Sequence, residues 1–141
     1  MRNKIKVLYL HGLESEQGGD KVDYLAKKYE VVAPAMDYYD PQRFVQTVEL
    51  VKEFEPDVII GSSMGGYFAY KLATIFGTPV VLLNPAMHSR YFEPEGVYEG
   101  TEEVIGTMIM GHKDDVIDPK KTINLLRKGI RKGQLRTYLK D

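Results

Sequence analysis

Six short apolar runs punctuate the chain: Ile5 to Leu10, Glu30 to Ala33, Val58 to Gly61, Val80 to Leu83, Val104 to Met110, and Leu135 to Leu139. Each is rich in β-branched or aliphatic residues and bounded by polar residues, Gly or Pro, the pattern of a buried strand. Between them, apolar residues recur at helical spacing: Val22, Leu25, Ala26 and Tyr29, then Phe44, Val48 and Val51, and later Ile123, Leu126 and Ile130. Strands alternating with helices predict an α/β fold, a three-layer α/β/α sandwich around a six-stranded, mostly parallel sheet. Local punctuation agrees. Asp40-Pro41 and Asp118-Pro119 each read as an N-cap acid followed by proline at the first helical position, and Gly77 with Pro79 closes the helix before the fourth strand.

The chain of 141 residues is long enough for one domain with a substantial core and too short for two ordinary ones, so residues 1–141 are read as a single domain. Nineteen basic residues against twenty acidic ones leave a net charge of -1, which gives no global field toward nucleic acid or an anionic membrane. The basic residues of the last third, from Lys120 to Lys140, read as a solvated helix face. Without cysteine there are no disulfides, thiol catalysis or Cys-type zinc sites, and the cytoplasm is the default compartment. The first apolar run ends at Leu10, too short for a signal-peptide core or a membrane span.

The chemistry concentrates at the third strand. Asp57-Val58-Ile59-Ile60 leads into Gly61-Ser62-Ser63-Met64-Gly65 and then a helical pattern, which is G-x-S-x-G between a strand and a helix. A serine that must meet a substrate carbonyl is best held at the tip of a sharp strand-to-helix turn, and small residues two positions to either side let the backbones pass. Ser63 is the candidate nucleophile of this nucleophile elbow. The turn also puts the Met64 N–H among the unpaired donors of a helix start, where it can face a developing oxyanion. A Gly-Ser loop can instead simply turn the chain or cradle a phosphate, but neither G-K-S/T nor G-x-G-x-x-G is written here.

In a doubly wound sheet the ligand crevice lies at the carboxyl ends of the strands, where the winding reverses. If the first and third strands are neighbours, about 4.8 Å apart, the His11-Gly12-Leu13 turn sits beside Ser63. The Leu13 N–H then becomes the second donor of an oxyanion hole. After the fifth strand, Gly111-His112-Lys113-Asp114-Asp115-Val116-Ile117-Asp118 offers three acids. Asp118 reads as a cap and Asp115 as the weaker alternative, leaving Asp114 as the candidate acid that orients a catalytic histidine.

Leu8-Tyr9-Leu10-His11-Gly12, Gly61-Ser62-Ser63-Met64-Gly65-Gly66-Tyr67, Val80-Val81-Leu82-Leu83-Asn84-Pro85-Ala86 and Gly111 to Asp118 resemble, in order, the small YqiA-like esterases of the α/β-hydrolase superfamily. The resemblance spans essentially the whole chain. It implies a minimal α/β-hydrolase core, a triad in the order Ser, Asp, His, no cofactor, and hydrolysis of small acyl esters or thioesters.

One part of that pattern is missing. The resemblance places the catalytic histidine in a loop after the last strand, yet none of the three histidines follows Asp114: they are His11, His88 and His112. Loss of a triad histidine costs about 10⁶ in turnover, so the chain as given is expected to be impaired. The expectation is that the histidine loop and a final helix belong to a longer form of the protein. Without that helix, apolar sheet surface near the C-terminus is left for a homodimer contact to cover. His112 is the candidate substitute base within the chain.

Two other function classes stay open. One is a binding or scaffold protein on a hydrolase core, supported by the missing base. The other is a metal-dependent hydrolase using His11, His88, His112 and Asp114, although these share no local ligand spacing. Between the fourth and fifth strands, Tyr91, Phe92 and Tyr98 lie among Glu93, Glu95, Glu99, Glu102 and Glu103. If that loop faces the pocket, its acids repel anions and short uncharged acyl esters are the expected substrates.

Overall fold

The computed structural model describes residues 4–12, 20–86, 100, 102–111 and 135–140. The strands are β1 (Lys6–Leu10), β2 (Glu30–Val32), β3 (Val58–Ser62), β4 (Val80–Leu83), β5 (Gly106–Gly111) and β6 (Leu135–Lys140). The helices are α1 (Asp20–Ala26), α2 (Arg43–Phe54) and α3 (Met64–Phe76). The strands form one sheet in the order β2-β1-β3-β4-β5-β6, and every pairing is parallel. All six apolar runs of the sequence are therefore strands, shifted at their ends by a residue or two.

Parallel pairing puts the carboxyl ends of all strands on one edge. The chain steps from β1 outward to β2, then crosses back over β1 to β3, so the winding reverses between β1 and β3. Because such crossovers are right-handed, steps in opposite directions lay their helices on opposite faces: α1 on one, α2 and α3 on the other. Strand alternation agrees. Leu8 and Leu10 join Ile59, Leu82, Met108 and Met110 in a buried cluster with Phe44, Val48 and Val51 of α2 and Phe68, Ala69 and Leu72 of α3. Val7 and Tyr9 are buried outside that cluster. Each large apolar side chain buried here is worth about 1.5–3 kcal/mol.

The predicted register of α2 holds at Phe44, Val48 and Val51, all buried, but its predicted start is corrected. Asp40 does not cap the helix: the N-cap is Gln42. Asp40 instead closes the preceding turn, its Oδ1 accepting the Gln42 N–H at 2.9 Å and its carbonyl the Arg43 N–H at 3.0 Å. Aspartate favours such a local bond to the residue two further on, so Asp-Pro marks a turn as readily as a helix start. The end of α3 is as predicted, with Gly77 left-handed at φ 71° and its N–H on the Ala73 carbonyl. Asp118-Pro119 and the periodic Ile123, Leu126 and Ile130 lie outside the described residues. No helix among the described residues is long and apolar enough to cross a membrane.

One aromatic cluster ties this frame to the crevice edge. The Phe68 ring of α3 stands edge-on to Tyr38, in the segment joining β2 to α2, at 4.9 Å, and to Phe44 at 5.3 Å. Phe68→Ala should cost about 3–5 kcal/mol, read as a lowered urea midpoint at unchanged slope. Phe68→Leu should cost about 1.5 kcal/mol or less.

Candidate active site

β3 delivers Ser63 directly onto the start of α3. Leu10 pairs with Gly61, which sets the His11-Gly12 turn beside Ser62 and Ser63. The approach is so close that side chains are excluded. A Cβ on Gly61 would lie 2.2 Å from the Gly65 carbonyl oxygen, and one on Gly65 would lie 2.1 Å from the Leu10 oxygen and 2.6 Å from the His11 oxygen. A Cβ on Gly66 would press on Pro85 at 2.9 Å. The glycines of the motif are thus contact points between backbones.

Ser63 itself has φ 56° and ψ -117°, a region that costs a non-glycine residue of order 1–3 kcal/mol. Three backbone hydrogen bonds hold it there. Its N–H donates to the Leu83 carbonyl at 2.9 Å, and its own carbonyl accepts from Tyr67 at 3.2 Å and Ala86 at 2.9 Å. Although Ser63 stands at the N-cap of α3, its hydroxyl makes no cap bond, so that oxygen is not spent on the helix. Met64 is buried at the first helical position, where its N–H has no intrahelical acceptor.

The model of the Uncharacterised protein family (UPF0227) matches residues 6–95, more than half of the chain. The chain belongs to this family. The matched segment contains the elbow, the His11-Gly12 turn and the Asn84-Pro85-Ala86 stretch, and it is the YqiA-like group that the sequence motifs resemble. Solved structures agree on the fold. A protein of the alpha/beta hydrolase superfamily from Xanthomonas campestris is 19% identical, with a TM-score of 0.71 over 96% of this chain and 84% of its own. The monoacylglycerol lipase of Paleococcus ferrophilus is 11% identical, with a TM-score of 0.71 over 96% and 83%. An alpha/beta hydrolase enzyme from the sediment metagenome of the Mar Chica lagoon, Morocco, is 16% identical, with a TM-score of 0.71 over 99% and 81%. The sheet and helices of this UPF0227 chain thus have the α/β-hydrolase fold.

Sequence reasoning assigned His11 to the turn and, in the metal-dependent alternative, to a ligand set, whereas the structure shows what its ring does. The Met36 N–H donates to Nε2 at 2.9 Å, which requires the lone pair there, so the proton resides on Nδ1 and is donated to the Gly12 carbonyl 2.7 Å away. The Tyr38 hydroxyl donates to the His11 carbonyl at 2.5 Å. Both ring nitrogens are engaged and the ring is buried, so His11 is a structural clamp and no candidate base. Met36 and Tyr38 were missed because nothing in Ala35-Met36-Asp37-Tyr38 has a recognisable spacing; their role arises only where this segment passes over the end of β1.

Of the other predicted site residues, Leu13, His88, His112 and Asp114 lie outside the described residues, as do Tyr91, Phe92 and Tyr98. The backbone of β5 reaches the crevice edge at Gly111, two strands from β3. Among the described residues no group of three or more His, Asp or Glu side chains is placed to hold a metal ion.

Burial pushes the Tyr38 hydroxyl far above its ordinary range; the neighbouring Tyr9 adds to the effect and the Arg43 charge opposes it. Burial also raises Tyr9 and Tyr70. Above about pH 10 the unfolded chain releases these protons while the folded one retains them, so stability is intact below that pH and falls as pH rises. Urea titrations at pH 9 and pH 11 should show the loss, and Tyr38→Phe should flatten the difference while lowering stability at both.

Proposed function

We propose that the protein is a serine hydrolase that cleaves small carboxylic esters or thioesters through an acyl-enzyme intermediate. The observation that carries this reading is Ser63, held at positive φ on a strand-to-helix turn with its hydroxyl unspent by the helix cap. A fold cost of this kind at a crevice edge is what presenting a nucleophile requires.

In this mechanism Ser63 Oγ attacks the acyl carbonyl carbon as a histidine accepts its proton. The carbonyl π pair moves onto oxygen, and the Leu13 and Met64 N–H groups stabilise the resulting charge. Collapse of the tetrahedral species expels the alcohol or thiol, which takes the proton from the histidine. Water then repeats the sequence on the acyl-serine, releasing the acid and restoring Oγ–H. Asp114 orients the histidine, whose expected position follows β6, with His112 as the substitute candidate within this sequence.

His11 acts on this arrangement indirectly. Its Nδ1 fixes the Gly12 carbonyl at 2.7 Å, so the turn beside Ser63 is held before substrate arrives. A preorganised turn costs no reorganisation in the transition state.

A fluorophosphonate probe should label the protein at one site, and Ser63→Ala should abolish labelling; a stable adduct elsewhere, or none, would favour the binding or scaffold reading. Release of 4-nitrophenol from 4-nitrophenyl butyrate should track the labelling across variants. If His112 is the base, His112→Ala lowers that rate by orders of magnitude, and an undiminished rate removes it from the mechanism.

A further inference from the structure

We infer that Arg43 binds an anionic group, a carboxylate or a phosphate, carried by the ester substrate. The inference depends on the esterase reading only for the identity of the ligand as a substrate.

Arg43 opens α2. Since β2 and β3 are both parallel to β1, the helix connecting them starts at the crevice edge and runs away from it. Arg43 therefore stands at the same edge of the sheet as the elbow. Its backbone is spoken for: the N–H donates to Asp40 and the carbonyl accepts the Thr47 hydroxyl at 2.7 Å. Its guanidinium is not. Nε is buried with no hydrogen-bond partner, and no ion pair involves Arg43 among the described residues. Asp40, the nearest acid in sequence, has Oδ1 turned to the Gln42 N–H.

A buried Nε left this way is costly, because a donor that has lost water and gained no acceptor forfeits its desolvation penalty, although Arg43 as a whole is half-buried. A planar oxyanion offsets that cost best, as the guanidinium fork matches carboxylate and phosphate oxygens in pairs. The position connects to the elbow through contacts already described. Phe44, next to Arg43, packs on Phe68 and Phe68 on Tyr38, Tyr38 donates to the His11 carbonyl, and that carbonyl lies against Gly65. An ester reaching Ser63 with an anionic tail toward the β2 side of the crevice would meet this charge. The sign is opposite to the sequence expectation of uncharged substrates, which rested on acids between β4 and β5.

The test measures binding apart from turnover. Ser63→Ala protein is titrated, by NMR shifts, with monoethyl glutarate, 2-acetoxyethyl phosphate and the uncharged ethyl butyrate, alone and combined with Arg43→Gln or Arg43→Lys. Loss of one charge-assisted contact should weaken at least one anionic ester about tenfold in Arg43→Gln and less in Arg43→Lys. The affected ester tells whether the charge belongs to the acyl or the alcohol side. The proposal is overturned if neither anion binds, if both keep their Kd within about twofold in Arg43→Gln, or if ethyl butyrate weakens equally. Hydrolysis of the same esters by the unmodified protein is scored separately: Arg43-dependent binding without turnover upholds the anion site even where the esterase reading fails.

Discussion

The contact on which the rest depends is backbone against backbone, where the first turn of α3 meets the end of β1. Gly65 presses on the carbonyls of Leu10 and His11, and Gly61 presses on Gly65. Any side chain at either position would separate β1, β3 and α3. Separation would move the His11-Gly12 turn away from Ser63 and release the strained conformation of Ser63, which persists only because its surroundings over-determine it. Nucleophile placement and helix packing are here one constraint.

Around that contact the crevice edge is a network of satisfied polar groups. The imidazole of His11 accepts from one segment and donates to its own turn, and Tyr38 secures the carbonyl between them. Buried polar groups that are fully paired rigidify what they join. The same aromatic ring of Tyr38 packs on Phe68, so the hydrogen-bonded edge and the hydrophobic core share a residue. Arg43 is the exception in this neighbourhood, a charged side chain whose buried Nε has no hydrogen-bond partner among the described residues. It is the group there whose chemistry is left open toward a ligand.

The fold was largely legible in the sequence. The apolar runs marked each of the described strands, because both faces of a parallel sheet are ordinarily covered and the pattern is nearly continuous. Helix α2 showed its buried face at Phe44, Val48 and Val51. Its start was misread, since Asp40-Pro41 fits a turn and a helix cap equally well and only the tertiary path chooses. At the site, Ser63 and its glycines were legible as a local motif, and the position of the His11-Gly12 turn followed from the winding. The use of His11 as a clamp was not, nor were Met36, Tyr38 and Arg43.

The sequence by itself determined the strand and helix alternation, the strand-to-helix turn that carries Ser63, and the family to which the chain belongs. These are written in local spacing, which short-range sterics and hydrophobic period fix without reference to the rest of the chain. Only the tertiary structure decided which side chains meet at the crevice edge. Met36 and His11 are 25 residues apart and Tyr38 and His11 are 27 apart, and no spacing rule reaches that far. Their meeting is set by the order of strands in the sheet and by the crossover that carries the chain back over β1.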